Sequence, residues 1–280
     1  MAYVQSIVLR NYRRFRGEVE LPLSGGIDII QVPQGMGKSS IVESVAWCLA
    51  GNISWNEVMN LEGRHAGEST MVSLKFYDPH QTVLERIILS SATGLEEDII
   101  TYPDGDFNAK REELFPLSCI HSNILSGISL ERVAYGDRAG GEVAIEKMGG
   151  WDKHDAQLRS SMEATSLFSS MMLDSAITCL MFDEHGKLSV ELDGPVVDIE
   201  ECHAMTLAAA IAFARENCSG IPIFLDEPFE KMNSDIIEQV ADAILEFMDG
   251  YQLVILLSNK DDVEKVRSSG RVDKELEIKG

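Results

Sequence analysis

The sequence predicts an α/β fold in which a central sheet, covered on both faces, is joined to an antiparallel β subdomain and a small helical lobe. Two runs, IPIFLD at 221–226 and YQLVILLS at 251–258, are apolar without alternation. That is the pattern of strands buried on both sides. A glycine-rich turn, QGMG at 34–37, separates a short apolar strand from a run with helical spacing. Residues 2–9 and 18–22 alternate apolar and polar, the pattern of half-buried strands.

In chain order, strands over 2–9 and 18–22 lead through an SGG turn into the strand IDIIQV at 27–32. A helix follows from Lys38 to Ala50, with apolar Ile41, Val45, Trp47, Cys48 and Leu49 and a stop at Gly51. MVSLKFYD, TVLERIILS and EEDIITYPDG, near residues 71–105, read as hairpin strands that end in a PDG turn. From about 126 to 180 the spacing turns helical, interrupted by GDRAGG and MGG, and CLMFDEHGKLSVELDG at 179–194 reads as a hairpin. A long helix over 199–217, the strand 221–226, a helix over 234–248 and the strand 251–258 complete the series. These elements make one domain: a principal lobe of about 1–125 and 200–280, and a helical lobe of about 126–200.

The chain is acidic, with 24 Lys and Arg against 46 Asp and Glu for a net charge of −22. Most of its surface therefore repels nucleic acid. Any DNA contact needs a local basic patch or a partner protein, and Arg10, Arg13, Arg14 and Arg16 form one such patch. The plainer account of the charge is solubility or a high-salt host. No apolar stretch is long enough to span a bilayer, and the N-terminal run lacks the layout of a secretory signal. Five cysteines, an odd number with no CxxC spacing, point to free thiols in a reducing cytoplasm.

VPQGMGKSS at 32–40 lies between strand and helix and approximates GxxxxGK[ST]. In that pattern backbone N–H groups wrap phosphates, the lysine reaches the β- and γ-phosphates, and the hydroxyl reaches Mg²⁺. Gly37, Lys38 and Ser39 match, with Gln34, Gly35, Met36 and Ser40 completing the loop, but Val32 stands where the first glycine belongs. The alternative is a glycine turn that only starts a helix. IPIFLDEP then places Asp226 and Glu227 at a strand's carboxyl end, where α/β folds put ligands. Asp226 would hold Mg²⁺ and Glu227 would deprotonate an attacking water; a solvated strand end is the alternative.

IVLRNYRRFRGEVELPL, GMGKS and SIVESVAWCLAGN together resemble the amino-terminal half of SMC, RecF, RecN and DndD-type ATPase heads, which are ABC-type P-loop ATPases. HGKLSVELDG, the helix after it, LDEP and VILLSN resemble the carboxy-terminal half of the same head. The resemblance covers 1–52 and 179–265. It implies an ABC-type ATPase head that uses ATP and Mg²⁺, that associates with a second head as a homo- or heterodimer, and that works with a nuclease or other DNA-processing subunit. DNA would be reached through that partner, with no membrane involved. The resemblance also sets Arg13 beside the nucleotide.

Several family positions depart from the pattern. The signature LSGGE falls on Val197, Asp198, Ile199, Glu200 and Glu201, of which only the last matches. The D-x-x-E spacing is still a helix capping box. In the family, the signature serine and glycines bind the γ-phosphate across the dimer, whereas Asp198 and Glu200 would bring like charge there. The D-loop aspartate becomes Asn233 and the switch histidine becomes Asn259, while His121 is the nearest Q-loop candidate. No sustained heptads replace the family's long arm. A partner-dependent ATPase and a non-hydrolysing ATP-binding docking module both remain open; a small-molecule kinase lacks an arginine-rich lid.

Overall fold

The structure is a computed structural model and describes residues 2–51, 53–91, 94–126, 154–183, 188–193, 198–218 and 220–278. Five strands form an antiparallel sheet in the order β2-β1-β4-β5-β6. They are β1 (Tyr3–Arg10), β2 (Glu18–Pro22), β4 (Thr70–Tyr77), β5 (Val83–Ser91) and β6 (Gly94–Tyr102). Ile7, Leu9, Val72, Leu74, Leu84 and Ile88 are buried on its inner face. Across the outer face, Arg10 pairs with Glu18 at 2.6 Å and Lys75 with Glu20 at 2.8 Å. This is the expected β subdomain.

The second sheet has the order β12-β3-β11-β10-β7, and every pairing in it is parallel. Its strands are β3 (Ile27–Gln31), β7 (Ile124–Ser126), β10 (Ile223–Asp226), β11 (Leu253–Leu257) and β12 (Lys274–Glu277). Successive residues of these strands enter different cores. Ile29, Leu225 and Ile255 join one core with α6 (His154–Met171), α7 (Ile199–Asn217) and α8 (Ile237–Phe247). Ile30, Phe224, Val254 and Leu256 join the other, with α1 (Lys38–Ala50) and the antiparallel sheet. Two cores explain why the strands show no alternation.

The hairpin β8 (Ile177–Phe182) and β9 (Leu188–Leu192) buries Ile177, Leu180 and Phe182 in the same core as α6 and α7. GDRAGG and MGG lie outside the described residues. Several elements were not expected: β7, β12, α2 (Trp55–Val58), α3 (Leu61–His65), α4 (Phe107–Leu114), α5 (Leu117–Asn123) and α9 (Lys260–Ser268). β7 is too short to carry a period, and β12, KELE, is an edge strand whose charges read as loop. α9 has legible ends: Asn259 caps it, Asp261 and Asp262 occupy its first turn, and Lys265 and Arg267 its last. Among the described residues no helix is long and apolar enough to cross a membrane, and all five cysteines are free thiols.

One buried acid links the fold to pH. Asp28 on β3 is fully buried, and both its oxygens accept from the Ser24 N–H, at 3.0 and 3.1 Å. Burial pushes its carboxyl up to about 6, with Asp273 adding to the rise and Ser24 and Lys274 opposing it. A folded-state value above the unfolded one is a cost that is absent at low pH, grows as pH rises from 3.8 through about 6, and is complete above that. Asp28→Asn, which keeps an acceptor for Ser24, is expected to stabilise the chain by about 1 to 2 kcal/mol at pH 8 and not at pH 4. Thermal melting at the two pH values checks this; an equal shift at both would remove the titration as its cause.

Candidate nucleotide site

The carboxyl ends of β3, β10 and β11 lie side by side, and the candidate residues leave from them. Val32 is fully buried and donates to the Leu257 carbonyl at 2.8 Å. It therefore extends the sheet and belongs to the core, which accounts for the missing first glycine. The chain then opens into an exposed loop through Gln34, Gly35 and Met36, where Met36 N–H closes a turn on the Pro33 carbonyl at 3.0 Å. Gly35 (φ 79°) and Gly37 (φ 99°) are left-handed, the backbone that turns successive N–H groups into a concave anion cradle. Gly37 is also the N-cap of α1 and, lacking a side chain, gives the first N–H groups of that helix no cap, which suits a helix start that receives an anion. A Cβ at Gly37 would lie 3.3 Å from the Phe15 ring and 3.5 Å from the Arg14 Cβ. The hairpin loop after β1 thus packs directly on the phosphate-loop candidate.

Lys38, Ser39, Asp226 and Glu227 come together although 187 residues separate Ser39 from Asp226. Ser39 Oγ donates to Asp226 Oδ2 at 2.8 Å. Lys38 Nζ lies 2.7 Å from Glu227 Oε1 and 3.9 Å from Asp226 Oδ1. Burial pushes the Asp226 carboxyl above its usual range; the Ser39 hydroxyl and Lys38 oppose that, and Glu227 and Glu230 add to it. Asp226 Oδ1 is buried and accepts no hydrogen bond, an orphan that calls for a cation or water. A serine hydroxyl beside a carboxylate oxygen is a hard oxygen donor set, so these residues fit Mg²⁺.

Glu227 is left-handed at φ 52°, a backbone that costs a non-glycine residue about 1 to 3 kcal/mol. Surrounding contacts hold it there: its N–H donates to the Leu256 carbonyl at 3.0 Å. Its Oε1 accepts from the Ser258 N–H at 3.0 Å and from the Ser258 hydroxyl. His203, buried on α7, bonds the next carbonyl, that of Pro228, at 2.8 Å.

The remaining candidates are more scattered. Arg13 is left-handed and pairs with Glu43 on α1, while Asn60 Nδ2 donates to its carbonyl at 2.5 Å. Arg14 is exposed, lies next to the loop at Gly37, and has no ion pair among the described residues. Ser40 is turned inward and buried. Asp198 and Glu201 make the expected capping box: Asp198 Oδ1 accepts from the Glu201 N–H at 2.7 Å, and Glu201 Oε2 from the Asp198 N–H at 3.0 Å. Glu200 is raised above the usual carboxylate range by burial and by Asp198 and Asp235, against the opposing Asn233 N–H. Asn259 does not reach Glu227; its side chain accepts from the Asp261 N–H at 3.0 Å as the cap of α9. Val197 lies outside the described residues, and His121 falls on α5.

The expected basic patch is largely neutralised by neighbouring acids. Arg10 is paired with Glu18, Arg13 with Glu43, and Arg16 with Glu68, with Glu62 at 3.9 Å. Cross-strand and loop contacts placed acids beside these arginines, so of the four only Arg14 keeps an uncompensated charge.

No protein-family model and no curated protein matches the chain. Solved structures do. An SMC head bound to the C-terminal winged-helix domain of ScpA aligns with TM-score 0.75 at 15% identity, over 99% of this chain and 95% of that one. The SMC head domain of Thermotoga maritima gives 0.66 at 15% identity, covering 99% and 95%. The Pyrococcus furiosus Smc head with an extended coiled coil, bound to the C-terminal domain of ScpA, gives 0.68 at 15% identity, covering 99% and 94%. The chain has the mixed α/β fold of these heads. More narrowly, the fold is that of an SMC head.

Proposed function

We propose that this chain is an ATP-binding head that hydrolyses ATP slowly, in the manner of SMC, RecF, RecN and DndD-type ATPases, together with a second subunit in DNA repair, DNA maintenance or defence against foreign DNA. The observation that carries the reading is the convergence of Lys38 and Ser39 on Asp226 and Glu227 at the carboxyl edge of a parallel sheet, beneath a loop with two left-handed glycines. In this reading residues 1–125 and 200–280 hold the nucleotide, and 126–200 carry the degenerate signature.

The loop N–H groups from Gln34 to Ser40, except that of Met36, which closes a turn on Pro33, and the Lys38 ammonium bind the phosphates; Arg14 stands beside them, and Arg13 joins them on leaving Glu43. Ser39 and Asp226 would hold Mg²⁺, which would supply positive charge against the phosphates. Phosphate binding draws Lys38 from Glu227, and Glu227 is then free to take a proton from water. The water oxygen bonds to the γ-phosphorus as the bond to the bridging oxygen breaks, that oxygen leaves with ADP, and the proton passes through Glu227 to the released phosphate.

The second reading, a non-hydrolysing docking module, is favoured by the acidic helix start at Asp198 and Glu200, which opposes a γ-phosphate brought by another copy. A different subunit with its own serine and glycines would relieve that opposition. Two of the SMC heads with the same fold carry a bound ScpA domain, and a protein partner of comparable kind fits this chain.

Calorimetry with Mg-ATP, followed by phosphate release, tests the proposal. Saturable binding with slow release is expected, and an absence of binding would sink it. Duplex DNA is expected to bind the isolated chain only weakly at physiological salt, because −22 opposes phosphate and three of the four arginines already have acids beside them. Tight, salt-resistant binding by a protein with alanine at Arg10, Arg14 and Arg16 would show that DNA lies elsewhere.

A further inference from the structure

The carboxylate of Glu227 is held asymmetrically. Three donors converge on Oε1: the Lys38 ammonium at 2.7 Å, the Ser258 N–H at 3.0 Å and the Ser258 hydroxyl. No donor among the described residues reaches Oε2. The three donors do not have the same future. Lys38 belongs to the phosphate loop and turns to the phosphates when they bind, whereas Ser258 directly follows β11 and stays with the sheet. Parallel pairing sets Asp226 opposite Leu256, and the Glu227 N–H then donates to the Leu256 carbonyl. That register carries Ser258 to the side of Glu227. Asn259, the position where a switch residue would stand, is turned away as a helix cap.

We infer that Ser258 is the positioning residue for Glu227: its N–H and hydroxyl anchor Oε1, so that Oε2 alone faces the attacking water. The inference rests on the reading of Glu227 as the general base. A glutamate released by Lys38 would otherwise sample several side-chain rotamers, and water activation falls with the fraction of time the base is aligned. Two hydrogen bonds from one residue to one oxygen leave the carboxylate a single orientation. Ser258 touches neither nucleotide nor Mg²⁺ in this arrangement, so its contribution appears in turnover and leaves affinity alone.

Ser258→Ala keeps the N–H bond and removes the hydroxyl; Ser258→Thr keeps both. Each is compared with wild type by single-turnover hydrolysis, by calorimetric affinity for the non-hydrolysable analogue AMP-PNP, and by thermal melting. Ser258→Ala is expected to lower kcat roughly 10- to 100-fold, with KM and analogue affinity within about twofold, and Ser258→Thr to restore most of the rate. In a Glu227→Gln background, Ser258→Ala is expected to cost nothing further. Should the alanine variant melt early, Ser258→Cys, a weaker donor of similar size, is measured in its place. A rate unchanged in Ser258→Ala, an equal loss in Ser258→Thr, or a loss of affinity in place of turnover overturns the positioning role. A protein that binds AMP-PNP but shows no Glu227-dependent hydrolysis overturns this role and the general-base reading together.

Discussion

Lys38→Ala is expected to abolish measurable Mg-ATP binding. The side chain is the one ammonium that reaches into the site from the phosphate loop, and it is largely buried against Asp226 and Glu227. Removing it deletes charge-assisted contacts to the β- and γ-phosphates and leaves two carboxylates facing a polyanion. Together these effects amount to at least about 3 kcal/mol, which is more than about a hundredfold in affinity. The same change strips Asp226 and Glu227 of their counter-ion in the empty protein, so stability should fall by about 1 to 3 kcal/mol. Calorimetry and melting separate the two effects. Equal ATP affinity in Lys38→Ala and wild type would remove the phosphate-loop assignment.

Glu227→Gln is expected to lower hydrolysis by roughly a hundredfold or more while leaving binding intact or tighter. The amide cannot take the water's proton. It can still accept from Ser258, so the backbone around φ 52° need not move. Lys38 also loses the carboxylate that holds it, which eases its transfer to the phosphates. Steady-state turnover at several protein concentrations gives a second result. Under the heteromer reading the pure protein turns over slowly and its rate rises linearly with concentration. Fast turnover rising with the square of concentration, and lost in Glu227→Gln, would show that two copies suffice despite Asp198.

Much of the molecule could be read along the chain because the signals are local. A lysine after two left-handed glycines, the Asp198–Glu201 capping box and the helix over 199–217 depend on residues within a few positions of one another. The apolar strands 221–226 and 251–258 announced burial on both faces for the same reason. Local signals also misled: four arginines close in sequence looked like a basic patch, because the acids that pair with Arg13 and Arg16 come from α1 and from the turn before β4.

The meeting of distant residues was decided by the tertiary structure. Strand register across a parallel sheet, which no period in the sequence encodes, puts Ser258 on Glu227 and leaves Asn259 to cap α9. Packing of the β1 hairpin loop on Gly37 makes Arg14 a neighbour of the phosphate loop and commits Arg13 to Glu43. Asn123 is another case: its amide bonds the Ile221 and Pro222 carbonyls from about a hundred residues away, fixing where β10 begins. Sequence alone determined which chemical groups are present and which helices and buried strands carry them, since both follow from short-range propensity and burial pattern. The tertiary fold decided which oxygen of Glu227 is anchored and which arginine stays uncompensated, because both depend on contacts closed over long stretches of chain.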